Sequence, residues 1–255
     1  MHKKIKLLFT ILLLTNSFLF AIDIELENIF KNKQVDGTIV IESLNTKKIH
    51  IYNDKRAKML FSPASTFKIP NTLIALNEGV VTKDSVIIWD KKIKDYESWN
   101  KDQTLLTAFK SSCVWCYQDF ASKIGVEKYE KYLKSLDYGN KSIGDEITRF
   151  WLDESLKITT FEQIKFLKRF YTNDLPFKLE DMNTLKQIMI DEKNEDYIIR
   201  AKTGWEGKYG WYVGYLETKN DVWFFATNID TKSKDDLPKR KEITLEALKI
   251  KEIIK

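Results

Sequence analysis

Residues 197–230 read YIIRAKTGWEGKYGWYVGYLETKNDVWFFATNID. Three runs rich in aromatic and β-branched residues, YIIRAKTGW, GWYVGYLET and DVWFFATNID, predict antiparallel strands, the last two joined by a tight turn at Lys219-Asn220. Far upstream, DGTIVIESL, a turn at Asn45-Thr46-Lys47-Lys48 and KIHIYND predict a β-hairpin. The preceding DIELENIFKNK has a helical pattern. So does the closing LPKRKEITLEALKIKEIIK, with Leu245, Leu248 and Ile253 among its apolar positions. Between the two β regions, roughly residues 63–190 are mostly helical in pattern. The expected fold is therefore α+β: an antiparallel sheet built from both chain ends with flanking helices, plus a mostly helical inserted subdomain. Residues 22–62 and about 191–255 would form the α/β part and about 63–190 the helical part of a single domain.

The chain opens MHKKIKLLFTILLLTNSFLFA, three lysines ahead of an apolar run and then Ala21. That layout predicts a secretory signal peptide over residues 1–21, its apolar run over residues 7–20 short for a membrane span. Export to the periplasm is the expected location, with the membrane met only through this segment. Without Lys3, Lys4 and Lys6, the 42 Lys and Arg come close to the 37 Asp and Glu, so the remainder is nearly neutral. Nucleic acid is thereby a poor partner.

Two scarce residue types narrow the chemistry. The two histidines are His2, in the leader, and His50, in a predicted strand, so a Ser-His-Asp hydrolase and a histidine-rich zinc site are both unsupported. Cys113 and Cys116, in SSCVWCYQ, leave a redox motif, a disulfide or two packed side chains open. Inside a helix their sulfurs would be poorly disposed for an unstrained bridge, so buried thiols are the favoured expectation.

Residues 62–70, SPASTFKIP, place Ser65 three residues before Lys68. On a helix they lie one turn apart on the same face, as a nucleophile and its base would. Ser98 and Lys101 in SWNK repeat the spacing, so context must choose between them. Ser65-Thr66-Phe67-Lys68, Ser112-Cys113-Val114, Tyr138-Gly139-Asn140 and Lys202-Thr203-Gly204 follow in that order. This set resembles the penicillin-recognising serine enzymes, and specifically the class D, oxacillinase-type, β-lactamases. FWLDESLKIT around Trp151 and LPKRKEI around Arg240 extend the resemblance over most of the chain. The choice then falls on Ser65.

The resemblance implies an antibiotic-resistance hydrolase whose small-molecule β-lactam substrate acylates Ser65. Ser112 would relay a proton to the leaving nitrogen, with Lys202 shaping its electrostatics. The backbone N–H groups of Ser65 and Trp205 would form the oxyanion hole, and Gly204 would let a strand edge approach the ligand. Thr203 and Arg240 would hold the substrate carboxylate. The implied base for both half-reactions is Lys68 carboxylated on Nζ by CO2, in apolar surroundings supplied by Phe67 and Val114, with Trp151 donating an indole hydrogen bond. Tyr138 and Asn140 would shape the cleft. No metal or other cofactor is implied. A sensor domain or small penicillin-binding protein holding a long-lived acyl-serine is the alternative, and either a monomer or a homodimer is compatible with the sequence.

Overall fold

The computed structural model describes residues 23–255; the predicted signal peptide lies outside the described residues. Its main sheet has six antiparallel strands, in the spatial order Ile49–Tyr52, Gly37–Ser43, Val222–Asp230, Tyr209–Thr218, Tyr197–Trp205 and Ile190–Lys193. The upstream hairpin supplies β1 (Gly37–Ser43) and β2 (Ile49–Tyr52). The short β3 (Val86–Ile87) and β4 (Gln103–Thr104) pair separately within the helical part. The far end supplies β5 (Ile190–Lys193), β6 (Tyr197–Trp205), β7 (Tyr209–Thr218) and β8 (Val222–Asp230). Strand β8 lies beside β1, so the sheet is indeed assembled from both ends of the chain.

The sequence reading missed β5. It is four residues of IDEK with alternating half-buried and exposed positions at a sheet edge, too short and polar to signal itself.

Alternation along the central strands sends side chains to two cores. Ile39, Ile41, Tyr212, Leu216, Phe225 and Ile229 face α1 (Ile24–Lys33) and α9 (Lys239–Ile250), whose Ile29, Phe30, Ala247 and Leu248 complete that layer. Val40, Trp211, Val213, Tyr215, Phe224 and Ala226 face the helical part. Helix α9 ends at Ile250, so Ile253, expected within it, lies just beyond.

A short α2 (Asp54–Ala57) follows β2; the helical part comprises α3 (Lys68–Asn77), α4 (Leu105–Lys110), α5 (Val114–Ile124), α6 (Val126–Leu136), α7 (Thr160–Tyr171) and α8 (Leu179–Ile188), with the irregular segment 137–159 between α6 and α7. Helix α3 is buried from Lys68 to Ala75, and two of its polar side chains find partners inside: Thr72 Oγ1 lies 2.7 Å from the Lys68 carbonyl and from Tyr117 Oη, and Tyr129 Oη donates to Asn71 Oδ1 at 2.7 Å. Pro70 lies in the first turn of α3, where its missing N–H costs least, and a 3-10 turn at Ala64–Phe67 precedes it.

The favoured reading of the cysteines is corrected: Cys113 and Cys116 form a disulfide, with Cα atoms 5.5 Å apart. Cys113 is not inside a helix. It is the residue ahead of α5 (φ −51°, ψ 106°), which removes the geometric objection to a bridge.

Candidate active site

The segment carrying Ser65 is fixed from several sides. Phe61 bridges Ile158, Ser62 Oγ donates to the Trp151 carbonyl at 2.8 Å, and Trp211 Nε1 donates to the Ser62 carbonyl at 2.8 Å. Gln163 Nε2 of α7 donates to Thr66 Oγ1 at 2.9 Å. Strand β6 passes so near that a Cβ on Gly204 would lie 2.9 Å from the Pro63 carbonyl oxygen, which only glycine permits without a shift. Ala64, next to Ser65, has φ +47°, a left-handed backbone that a non-glycine residue holds at a cost.

A cleft of about 380 Å³ opens between the sheet and the helical part. Ser65, Ser112, Val114, Thr203, Gly204, Trp205 and Arg240, all expected site residues, line it. Lys68 and Lys202 lie behind the wall, 1% and 4% exposed. Lys68 Nζ is 3.4 Å from Ser65 Oγ and 4.5 Å from the centroid of the Tyr117 ring. Burial pulls its amine down to about 7. Lys202 Nζ donates to Ser112 Oγ at 2.6 Å and to the Thr203 carbonyl at 2.9 Å. Burial holds Lys202 well below the usual lysine range, and the nearby Lys68 adds to the effect.

Arg240 is held in the first turn of α9 by hydrogen bonds from Nε to the Leu237 carbonyl and from Nη1 to the Gly204 carbonyl, both 2.7 Å. It pairs with no carboxylate among the described residues, and burial lowers it to about 10, so it remains cationic at neutral pH. A partly buried, unpaired guanidinium at a cleft wall suits a carboxylate ligand.

Phe67 stacks on Trp151 with ring centroids 5.9 Å apart and packs edge-on against Phe150. Trp151 is 1% exposed, and its Nε1 has no hydrogen-bond partner among the described residues. An unpaired buried N–H is costly and calls for an acceptor.

Tyr138 and Asn140 do not line the cleft as expected. Tyr138 is fully buried against Phe67 and Phe166, while Asn140 ties its turn to residues 155–157 through Ser155 and Lys157. The rival pair Ser98 and Lys101 is exposed to solvent. Cleft residues the sequence reading overlooked include Tyr96, Trp99, Leu152, Glu206 and Leu237. Tyr96 and Trp99, the aromatic pair flanking Ser98, are the sequence signal for this wall. Tyr117, against Lys68, had no signal beyond α5's apolar face. Among the described residues no cluster of three or more His, Cys, Asp or Glu is arranged to hold a metal ion.

Residues 32–249 match the family model for the penicillin binding protein transpeptidase domain. The chain is 44% identical to β-lactamase OXA-48 of Klebsiella pneumoniae over 230 residues, 88% of this chain and 87% of the relative. It is also 44% identical to β-lactamase OXA-20 of Pseudomonas aeruginosa over 218 residues, 84% of this chain and 82% of the relative. Among solved structures it superposes on FUS-1 (OXA-85), a class D β-lactamase from Fusobacterium nucleatum subsp. polymorphum. That match has a TM-score of 0.89 at 41% identity and covers 92% of this chain and 100% of the other.

Proposed function

The chain belongs to the class D β-lactamases, serine enzymes that hydrolyse β-lactams, and on that premise we propose that it acts through an acyl-enzyme on Ser65. The observation that carries this reading is one cleft bringing Ser65 and Ser112 together, each with a buried lysine within hydrogen-bonding range.

Ser65 Oγ attacks the lactam carbonyl, and its proton passes to the base at position 68. The carbonyl oxygen, now negative, is met by the backbone N–H groups of Ser65 and Trp205. The C–N bond of the ring breaks as Ser112 gives its hydroxyl proton to the nitrogen and is reprotonated from the Lys202 side. Lys202, its charged form disfavoured by burial, is suited to exchange protons rather than only to hold charge. Thr203 and Arg240 anchor the substrate carboxylate.

The surroundings of Lys68 fit a carbamate formed with CO2. The amine is held near 7 by burial, so a substantial share is neutral at physiological pH, and no acid pairs with it among the described residues. Trp151 Nε1, on the ring stacked against Phe67, is an unpaired donor available to it. When formed, the carbamate would supply an anionic base beside Ser65. Phe67, Val114 and the Tyr117 ring keep its surroundings apolar.

The disulfide supports the expected periplasmic location, since such bonds persist in oxidising compartments. Mass spectrometry after mixing with benzylpenicillin tests the reading. A transient adduct on the peptide carrying Ser65, absent in Ser65→Ala and followed by released penicilloate, is expected. A stable adduct with no turnover would mark a sensor or penicillin-binding protein instead.

A further inference from the structure

Ser112 occupies a place where serine is unusual. Its N–H donates to the Phe109 carbonyl at 3.2 Å and the Cys113 N–H to the Ala108 carbonyl at 2.9 Å, the paired bonds that end a helix at a left-handed residue. That residue is ordinarily glycine; here it is Ser112, with φ +55°. Its hydroxyl direction depends on this uncommon backbone being held.

The next residue, Cys113, both finishes the turn after α4 and starts α5. At such a position a Ser, Thr, Asp or Asn oxygen usually accepts the N–H of the third helical residue. Here Cys113 Sγ takes that place, accepting the Cys116 N–H at 3.3 Å, but sulfur is a weak acceptor. A covalent bond to Cys116, itself the third residue of α5, ties the same two positions together. The bridge encloses Val114, which lines the cleft, and abuts Ser112.

The same turn is cross-tied to the cleft wall. Trp99 Nε1 donates to the Ser111 carbonyl at 2.9 Å, and Trp115 Nε1 donates to the Trp99 carbonyl at 3.1 Å. Both cysteines are fully buried, which rules against thiol exchange with an outside partner. A bridge across so short a loop also restricts the unfolded chain least, so what it secures is local geometry.

We propose that the Cys113–Cys116 disulfide is a positioning device for the reaction, holding Ser112 in its left-handed conformation with its hydroxyl on Lys202 and Val114 against the cleft. This inference rests on the acyl-Ser65 reading, in which Ser112 delivers the proton to the departing nitrogen.

The test compares wild type, Cys116→Ala and the double variant Cys113→Ser/Cys116→Ala, which restores a capping hydroxyl without the covalent bond. Acylation rate constants are measured by rapid quench and mass spectrometry, alongside Tm. Both variants are expected to acylate with benzylpenicillin at least about tenfold more slowly, as for a misplaced proton donor. The loss should be smaller for a chromogenic cephalosporin, whose ring nitrogen is delocalised and departs with less need of a proton. If the bridge were purely stabilising, its loss would lower Tm without such leaving-group discrimination, and that result would overturn the proposal. So would wild-type rates in the double variant, which would show that a cap suffices.

If neither variant folds, wild-type protein made in a reducing cytosol serves, its two thiols confirmed by an intact mass two hydrogens higher. Slow acylation, restored when the same protein is unfolded and refolded in a thiol–disulfide buffer that closes the bridge, is expected; unchanged acylation overturns the proposal. Absence of any adduct in oxidised wild type overturns the acyl-serine reading itself, and the device with it.

Discussion

Lys68 Nζ lies 3.4 Å from Ser65 Oγ, and burial is the cause of its depressed basicity. A lysine paired with a carboxylate would be pushed the other way, so the fold has enclosed an amine that it does not neutralise. The clearest consequences of the proposed chemistry follow from that choice.

The first concerns stability. The amine sits near 7 in the folded protein against 10.5 when exposed, so between those values the unfolded chain binds more protons. The cost of enclosing Lys68 is therefore full below about pH 7 and fades as pH rises toward 10.5. Lys68→Met, similar in volume, should abolish turnover yet raise Tm by roughly 5 °C at pH 6 in CO2-depleted buffer, with a smaller gain at pH 9. Calorimetry at the two pH values checks this. A loss of stability at pH 6, or a gain at pH 9 as large as that at pH 6, would contradict it.

Trp151 distinguishes core packing from chemistry. Trp151→Phe keeps an aromatic ring against Phe67 but removes the unpaired Nε1 donor. Deacylation should slow by about tenfold or more, the scale of a lost hydrogen bond to a charged group. Tm should fall by no more than a few degrees. Unchanged deacylation with a large drop in Tm would make Trp151 only a packing residue.

Arg240→Lys keeps the charge but loses the planar fork that reaches Gly204 and Leu237. Steady-state kinetics should show KM raised about tenfold, with kcat changed far less, if Arg240 binds the substrate carboxylate in ground and transition states alike. A fall in kcat alone would remove it from that role.

The fold was legible where chemistry is periodic. The long strands β6, β7 and β8 and the hairpin β1–β2 announce themselves by aromatic and β-branched runs, whereas β5 is four polar-leaning edge residues recognised only through its pairing with β6. The candidate site was legible where motifs are short and local, at Ser65–Lys68 and Lys202–Gly204. Tyr117 and Trp99 were not, because their places beside Lys68 and in the cleft wall depend on how α5 and the 3-10 turn at Glu97–Trp99 pack. The disulfide was misjudged because helical periodicity says little about a residue just ahead of a helix.

A pH effect on activation follows from the same amine. CO2 adds only to the neutral form, whose share falls tenfold per unit below the amine's value near 7. The bicarbonate needed for half-maximal activity, expressed as dissolved CO2, should therefore rise steeply between pH 7 and pH 5.5. A flat requirement over that range would detach activation from Lys68.

The most direct test of the account is the rate of chromogenic cephalosporin hydrolysis by the purified protein in CO2-depleted buffer, before and after adding bicarbonate, with Lys68→Ala alongside. The proposed chemistry predicts weak turnover that bicarbonate restores in the wild type and not in the variant. Full turnover in depleted buffer, unchanged by bicarbonate, would contradict a carbamate base at Lys68.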